Sequence, residues 1–319
     1  MPDDVVAESL ERLTDNTKLT VHWAERHGNK LRRGHHGGNR FVLRLREVEP
    51  THVVHAKKTL DTLATRGVPN YFGDQRFGYR QNSHKLGRLL LQNQHEAFLH
   101  EMLGSDYETE SPYIVEGRAH YRNGDYEAAL EVWPKTLRFD RQALDALRQG
   151  KNAEQAVGCI DRSQRDFLIS AWQSSVFNDV LNERVKHGTF DKLLPGDLAW
   201  KHDNRSVFAV DEATAALENA EGGRVPAGEV SPSGPNWGGS MTQPSGEPGD
   251  MERAALERSG IAEDQLRGVE GGRRPMRVIL KHPEVSAGAD EHGPYIKTSF
   301  ELPRGAYATM VLREIMKPQ

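Results

Sequence analysis

The stretch "GVPNYFGDQRFGYRQNSHKLG", Gly67 to Gly87, sets Asn70, Gln75 and Arg76 among the aromatic residues Tyr71, Phe72, Phe77 and Tyr79, with glycines at 73 and 78. Those residue types suit a nucleotide. An extruded base is held by stacking on an aromatic ring and by amide groups at its hydrogen-bonding edge, while arginine and lysine neutralise the flanking phosphates. Glycines let backbone approach such a ligand closely. The same residues fit a second reading, in which Tyr71, Phe72 and Phe77 are core side chains and Arg76 is an ion-pair partner. On the residues alone, the two weigh evenly.

Upstream, His22 to Arg46 is a basic island of seven Lys or Arg and four His against one acid, Glu25. Because the whole chain carries 42 basic and 46 acidic residues, a net charge of -4, any affinity for nucleic acid must be local. Other chemistries lack their supports. His35 and His36 in "GHHGG" have no carboxylate at ligand spacing and sit among cations, so no metal site is expected there. No GxSxG elbow, P-loop or strand-borne GxGxxG occurs, which removes the main hydrolase, NTPase and dinucleotide-enzyme signals. Cys159 is the single cysteine; it excludes an internal disulfide, suits a reducing compartment and is expected to be a packed small hydrophobe. No apolar run approaches the roughly 20 residues of a spanning helix, and "MPDDVVAESLERL" is acidic where a signal peptide is basic. A cytoplasmic location is the expectation.

The elements that must carry the loop can be read around it. Phe41, Leu43 and Leu45 alternate with Arg44 and Arg46, a half-buried strand, and Thr51 to Arg66 has helical spacing with Gly67 as its cap. The loop therefore follows a helix. Lys85 to Gln94 is helical, and "SPYIVEGRAHYRNGDYEAALEVWP" resembles one tetratricopeptide hairpin, which cannot stack alone. Ser163 to His187 forms the clearest helix, with Ser163 and Asp166 as a capping pattern and Gly188 as its stop. From Glu221 to Asp250 the Gly, Pro and Ser content predicts a loop or linker, with an ordered loop under Trp237 and Met241 nearly as well supported. "MRVIL" and "YIKTSFEL" return to strand, and a short helix follows Gly305. Strands and helices mix without a βαβ rhythm, which favours an α+β sheet domain with a mostly helical partner.

"NYFGDQRFG" resembles the N-x-F-G-x-Q-R-F-G signature of the tRNA pseudouridine synthase D (TruD) family, which isomerises uridine to pseudouridine in tRNA. "HGNKLRRGHHGGNRF", "RDFLISAWQSSVFN", "SPSGPNWGGSM", "GGRRPM" and "LPRGAYATMVLRE" are similar to further family segments in family order. The resemblance implies a pseudouridine-synthase-like mixed sheet domain, incomplete at its N terminus, in residues 1–92 and 283–319, interrupted by a largely helical TruD-type insertion at 93–282. It implies that Asn70, Phe72, Gln75, Arg76 and Phe77 are the substrate-binding residues, with Asn70 and Phe72 lining the uridine pocket, Phe72 on the base, and Gln75 and Arg76 organising the loop. His27, Lys30, Arg32, Arg33, Arg40 and Arg313 would face the RNA. The partner would be tRNA at uridine-13, with no cofactor, no metal, no protein partner and a monomeric chain.

One segment of the family pattern is missing. The family's catalytic aspartate lies in a G-x-K-D-x-x-A segment ahead of the basic island, and no "GxKD" occurs in these 319 residues. Asp74 occupies a variable place in the signature and reads as a turn residue. No catalytic residue is therefore assigned, the chain as given is expected to be inactive, and the expectation is either that Met1 is not the native start or that the gene is split or truncated. The alternatives are an RNA-binding relic or RNA chaperone, and a helical scaffold built around "YRNGDYEAALEVW".

Overall fold

The computed structural model describes residues 28, 30, 37–107 and 110–317. The chain divides into two compact units, 1–37 and 38–319. In the first, Lys30 is exposed, while His27, Arg32, Arg33, His35 and His36 lie outside the described residues.

The second unit opens with β1 (Gly38–Arg46), α1 (Val53–Arg66) and β2 (Val68–Pro69). A run of helices follows: α2 (Ser83–Leu91), α3 (His95–Leu99), α4 (Pro112–Arg122), α5 (Tyr126–Val132), α6 (Arg138–Arg148), α7 (Ala153–Gly158) and the long α8 (Arg162–Lys186). Then come β3 (Leu198–Lys201), β4 (Val207–Ala209), α9 (Glu212–Asn219), β5 (Val230–Asn236) and α10 (Gly246–Arg258). The chain ends with β6 (Gly272–Pro275), β7 (Arg277–Val278), β8 (Lys281–Asp290), β9 (Gly293–Pro303) and α11 (Ala308–Ile315). The architecture is α+β.

Alternation in the sequence becomes a sheet that joins the two ends of this unit. β9 lies between β1 and β8, antiparallel to both, with Phe41 opposite Phe300 and Leu45 opposite Ile296. Because side chains point to alternate faces of a strand, this register collects Phe41, Leu43, Phe300 and Leu302 on one face. There they meet Leu60 and Leu63 of α1 and Met310 and Val311 of α11 in one core. The opposite face holds Arg40, Arg44, Arg46, Tyr295 and Lys297, and Arg44 and Arg46 both pair with Asp290. Arg40 is exposed and stands across from Glu301.

A second core surrounds α8, with Trp172, Phe177, Leu181, Trp237 and Met276, and a third holds the smaller helices around Phe98, Trp133, Leu144 and Leu168. α2 crosses α8 so closely that a Cβ on Gly87 would collide with the carbonyl oxygen of Leu168. Helix α8 starts at Arg162, so Ser163 lies inside its first turn and Asp161, without a side-chain capping bond, occupies the N-cap position. The expected Ser163 cap is absent because the N-cap lies two residues further back.

Two other expectations are corrected. The segment 221–250 is no linker: Val230 to Pro235 is buried, and β5 pairs with β3 on one side and β6 on the other in the four-stranded order β4-β3-β5-β6. Small residues are there for close approach, since a Cβ on Gly234 would lie 2.9 Å from the Phe177 ring. Pro232 still serves the sheet through its carbonyl, which accepts from Met276 N–H at 2.8 Å. Cys159 is exposed at the end of α7 rather than packed, with Lys151 Nζ 3.2 Å from its sulfur.

Candidate functional site

The signature loop is placed by its two ends. Gly67 closes α1 at φ 84, a conformation glycine adopts without strain, and β2 then pairs with β7 while Asn70 N–H donates to Met276 O at 2.9 Å. Tyr71 packs against both the sheet core and the α8 core, so the loop lies on the seam between them. Beyond Gly73, Asp74–Phe77 forms a single 3-10 turn.

At the seam Phe72 is held on every side but one. Its N–H donates to Asn178 Oδ1 at 2.8 Å, and Asn178 Nδ2 donates back to its carbonyl at 3.0 Å. The ring meets Phe177 edge-on at 5.6 Å and Tyr307 at 6.3 Å, and the Arg274 guanidinium lies over one face, 4.0 Å from the centroid. It nevertheless stays partly exposed.

Arg274 ties three segments together. It donates to the Asn70 carbonyl, to Asn70 Oδ1 at 2.6 Å and to Gly305 O at 3.0 Å, while Asn70 Nδ2 donates to Pro275 O at 2.8 Å. Asn70 is buried with both ends of its amide engaged by Arg274 and Pro275, so it braces the loop rather than presenting a free amide. Arg76 donates to Ser170 and, at 3.2 Å, to Ser174 Oγ, and covers the Phe167 ring at 4.7 Å.

Neither Arg274 nor Arg76 has a carboxylate partner among the described residues. Burial pushes the Arg274 guanidinium down to about 10, with Tyr307 opposing and Arg76 reinforcing the shift. Burial also lowers Arg76. Arginine stays charged at neutral pH, so the seam sets two cations without a directly paired carboxylate, among the described residues, beside a partly exposed ring, which suits an anionic or carbonyl-rich ligand.

The other expected residues lie around this centre. Gln75 is exposed, Phe77 packs edge-on against His84 at 5.4 Å, and Arg313 reaches over the Tyr71 ring at 5.7 Å from α11. Arg274, Asn178, Phe177 and Tyr307 were not singled out from the sequence. "GGRRPM" offered a signal: in a strand, consecutive arginines face opposite ways, so Arg273 goes to the buried Glu252 at 2.7 Å and Arg274 to the loop.

A family model for tRNA pseudouridine synthase D (TruD) matches residues 2–315. The chain belongs to the TruD family. Named tRNA pseudouridine synthase D, a Geobacter sulfurreducens protein is 41% identical over 300 residues, covering 92% of this chain and 71% of the relative. An archaeal relative from Pyrobaculum islandicum, a probable tRNA pseudouridine synthase D, is 33% identical over 88% of this chain and 65% of its own. The crystal structure of a putative TruD from Methanosarcina mazei superposes with a TM-score of 0.77 at 25% identity, covering 89% of this chain and 69% of that one. The TruD chain described here thus carries its signature loop on the same fold. Among its described residues no helix is long and apolar enough to cross a membrane.

Proposed function

We propose that the seam is the uridine-holding part of a tRNA pseudouridine synthase active site, and that its substrate is uridine-13 of tRNA. The supporting observation is Phe72, a partly exposed ring clamped through its backbone by Asn178 and fixed from one face by Arg274. A uracil stacked on the remaining face would lie beside two unpaired guanidiniums, which suit its carbonyls and the neighbouring phosphates. The reaction breaks the glycosidic bond, turns the base and rejoins it through carbon. That chemistry needs a positioned carboxylate, and stacking supplies only part of the barrier reduction. Since no "GxKD" segment occurs in the 319 residues, these residues by themselves are expected to hold uridine without isomerising it. In this reading 93–282 is the family insertion, and 1–92 with 283–319 form the sheet domain.

The test is tRNA binding and pseudouridine formation by this chain, alone and with Phe72→Ala. Binding without product, weakened at least tenfold by Phe72→Ala, is expected. Product from the chain alone would overturn the expected inactivity, and equal binding by Phe72→Ala would overturn the pocket. An RNA-binding role without catalysis is the second reading, favoured by the same missing segment; it predicts no product even in a longer polypeptide that contains the G-x-K-D aspartate.

A further inference from the structure

Two residues past the 3-10 turn, Tyr79 is 65% exposed. An exposed aromatic is ordinary by itself; this one stands on a fastened turn. It occupies the tip of a turn closed by Gln81 N–H to Gly78 O at 3.0 Å, and the Gln81 side chain fastens the same turn to Asp74 O and Gly78 O at 3.1 and 2.7 Å. Its neighbour Arg80 is buried, donating to Met102 O and Ser105 O at 3.0 Å each. The Tyr79 hydroxyl lies 3.4 Å from Glu110, a fully buried carboxylate gripped by Arg118 at 2.6 and 2.7 Å. Burial, and next the Glu110 charge, raise the Tyr79 phenol, so it remains a neutral donor. The ring is therefore presented to solvent from a fastened backbone, with its hydroxyl near the Glu110 carboxylate.

The surroundings suit a polyanion. Lys85 and Arg88 are exposed on the helix that follows and have no acid partner among the described residues, and Arg76 precedes the turn on the element that borders Phe72. Exposed aromatic rings together with basic side chains hold single-stranded nucleic acid without sequence preference, because every base has a π-face.

We infer that Tyr79 is a stacking platform for a nucleotide flanking the extruded uridine, so that the RNA is gripped at two bases, one on Phe72 and one on Tyr79. This rests on the uridine reading of Phe72. The platform holds the neighbour in place and takes no part in bond breaking. Because the backbone beneath the ring is already fastened, stacking on it costs less ordering entropy than on a mobile loop.

The experiment measures the affinity of this chain for a tRNA transcript, and for RNAs made abasic at one position at a time around the target uridine, across a salt series. Tyr79→Ala is expected to weaken tRNA binding roughly 5- to 100-fold, as loss of one stacked base does. The salt slope should stay unchanged, since no phosphate contact is lost. Tyr79→Phe should bind within about threefold of the parent, and the Tyr79→Ala penalty should vanish on one of the abasic RNAs. Tyr79→Ala binding within twofold of the parent, while Phe72→Ala binds weakly, overturns the platform and leaves the pocket standing. So does a Tyr79→Phe defect equal to that of Tyr79→Ala, which would make the hydroxyl bond to Glu110 the whole effect. No tRNA binding by the parent chain overturns both readings.

Discussion

Replacing Arg274 by Met separates what the guanidinium does for the fold from what it does for the pocket. The substitution removes a 2.6 Å charge-assisted bond to the buried Asn70 amide and a 3.0 Å bond to Gly305 O, each worth about 1.5 to 3 kcal/mol. It also removes a cation over the Phe72 ring at 4.0 Å, worth about 1 to 2 kcal/mol where water is excluded. Against these stands the strain of the charge itself: burial lowers the group from 12.5 to about 10, and at about 1.4 kcal/mol per unit the charged form is disfavoured by roughly 3 kcal/mol. Met fills much of the same volume and carries no charge. The net loss of stability should therefore be about 1 to 5 kcal/mol, read as a shift of the urea midpoint at constant m. The loss in tRNA affinity should be larger than the cation alone explains, because Asn70 and Phe72 are no longer fixed. Arg274→Lys should recover part of the stability and little of the affinity, since an ammonium cannot span Asn70, Gly305 and the ring face together. If Arg274→Met keeps parental affinity apart from a salt slope lower by about one, the residue is a phosphate contact and the positioning role is wrong.

Two further outcomes follow from the buried charges behind the loop. Arg118→Met leaves Glu110, whose side chain has no exposure, with Arg80 Nε at 3.5 Å as its remaining cation, and should destabilise the chain by about 3 to 5 kcal/mol in denaturant titration. Adding Glu110→Leu should restore most of that; a double variant as unstable as the single would show that the charge is not the cause. Asp140 behaves in the opposite sense: burial lifts its carboxyl from 3.8 to about 6, with Arg118 and Arg80 opposing. Between about pH 4 and 6 the folded chain holds the extra proton, so this group's contribution falls as pH rises through that window and is adverse by roughly 3 kcal/mol above it. Asp140→Asn should accordingly be more stable than the parent by about 1 to 3 kcal/mol at pH 7.5 and equal to it below pH 4. A gain that does not change with pH would contradict this.

Periodic elements were legible in the sequence because burial on one face leaves a pattern. The alternation in "YIKTSFEL" gave β9 its inward Ile296, Thr298, Phe300 and Leu302, and the apolar spacing after Ser163 marked α8. The strand Val230–Asn236 left no such pattern. It is buried on both faces and squeezed between β3, β6 and α8, so it is built of Ser, Gly and Pro, the residues that elsewhere mark flexible chain. Asn70 and Phe72 were singled out by their types, an amide and an aromatic ring among glycines. Their contacts were not legible: Arg274 and Asn178 come from 204 and 106 residues further along, and although "GGRRPM" and "RDFLISAWQSSVFN" stood out as segments, nothing local says that they meet the loop. Tyr79 was visible as one aromatic among four; its exposure and its tether to Glu110 belong to the tertiary structure alone.

The reciprocal bonds between Phe72 and Asn178 bear on how this protein can be taken apart. A side-chain amide there pairs with one residue's N–H and C=O as a neighbouring strand would, but it is offered by a helix of the middle of the chain. In the proposed reading the middle region is thus a structural member of the pocket, not an accessory that can be exchanged. Grafting that region from one relative onto the sheet of another should succeed only where the amide and the loop are transferred together, and excising it should leave a sheet whose signature loop has lost its wall.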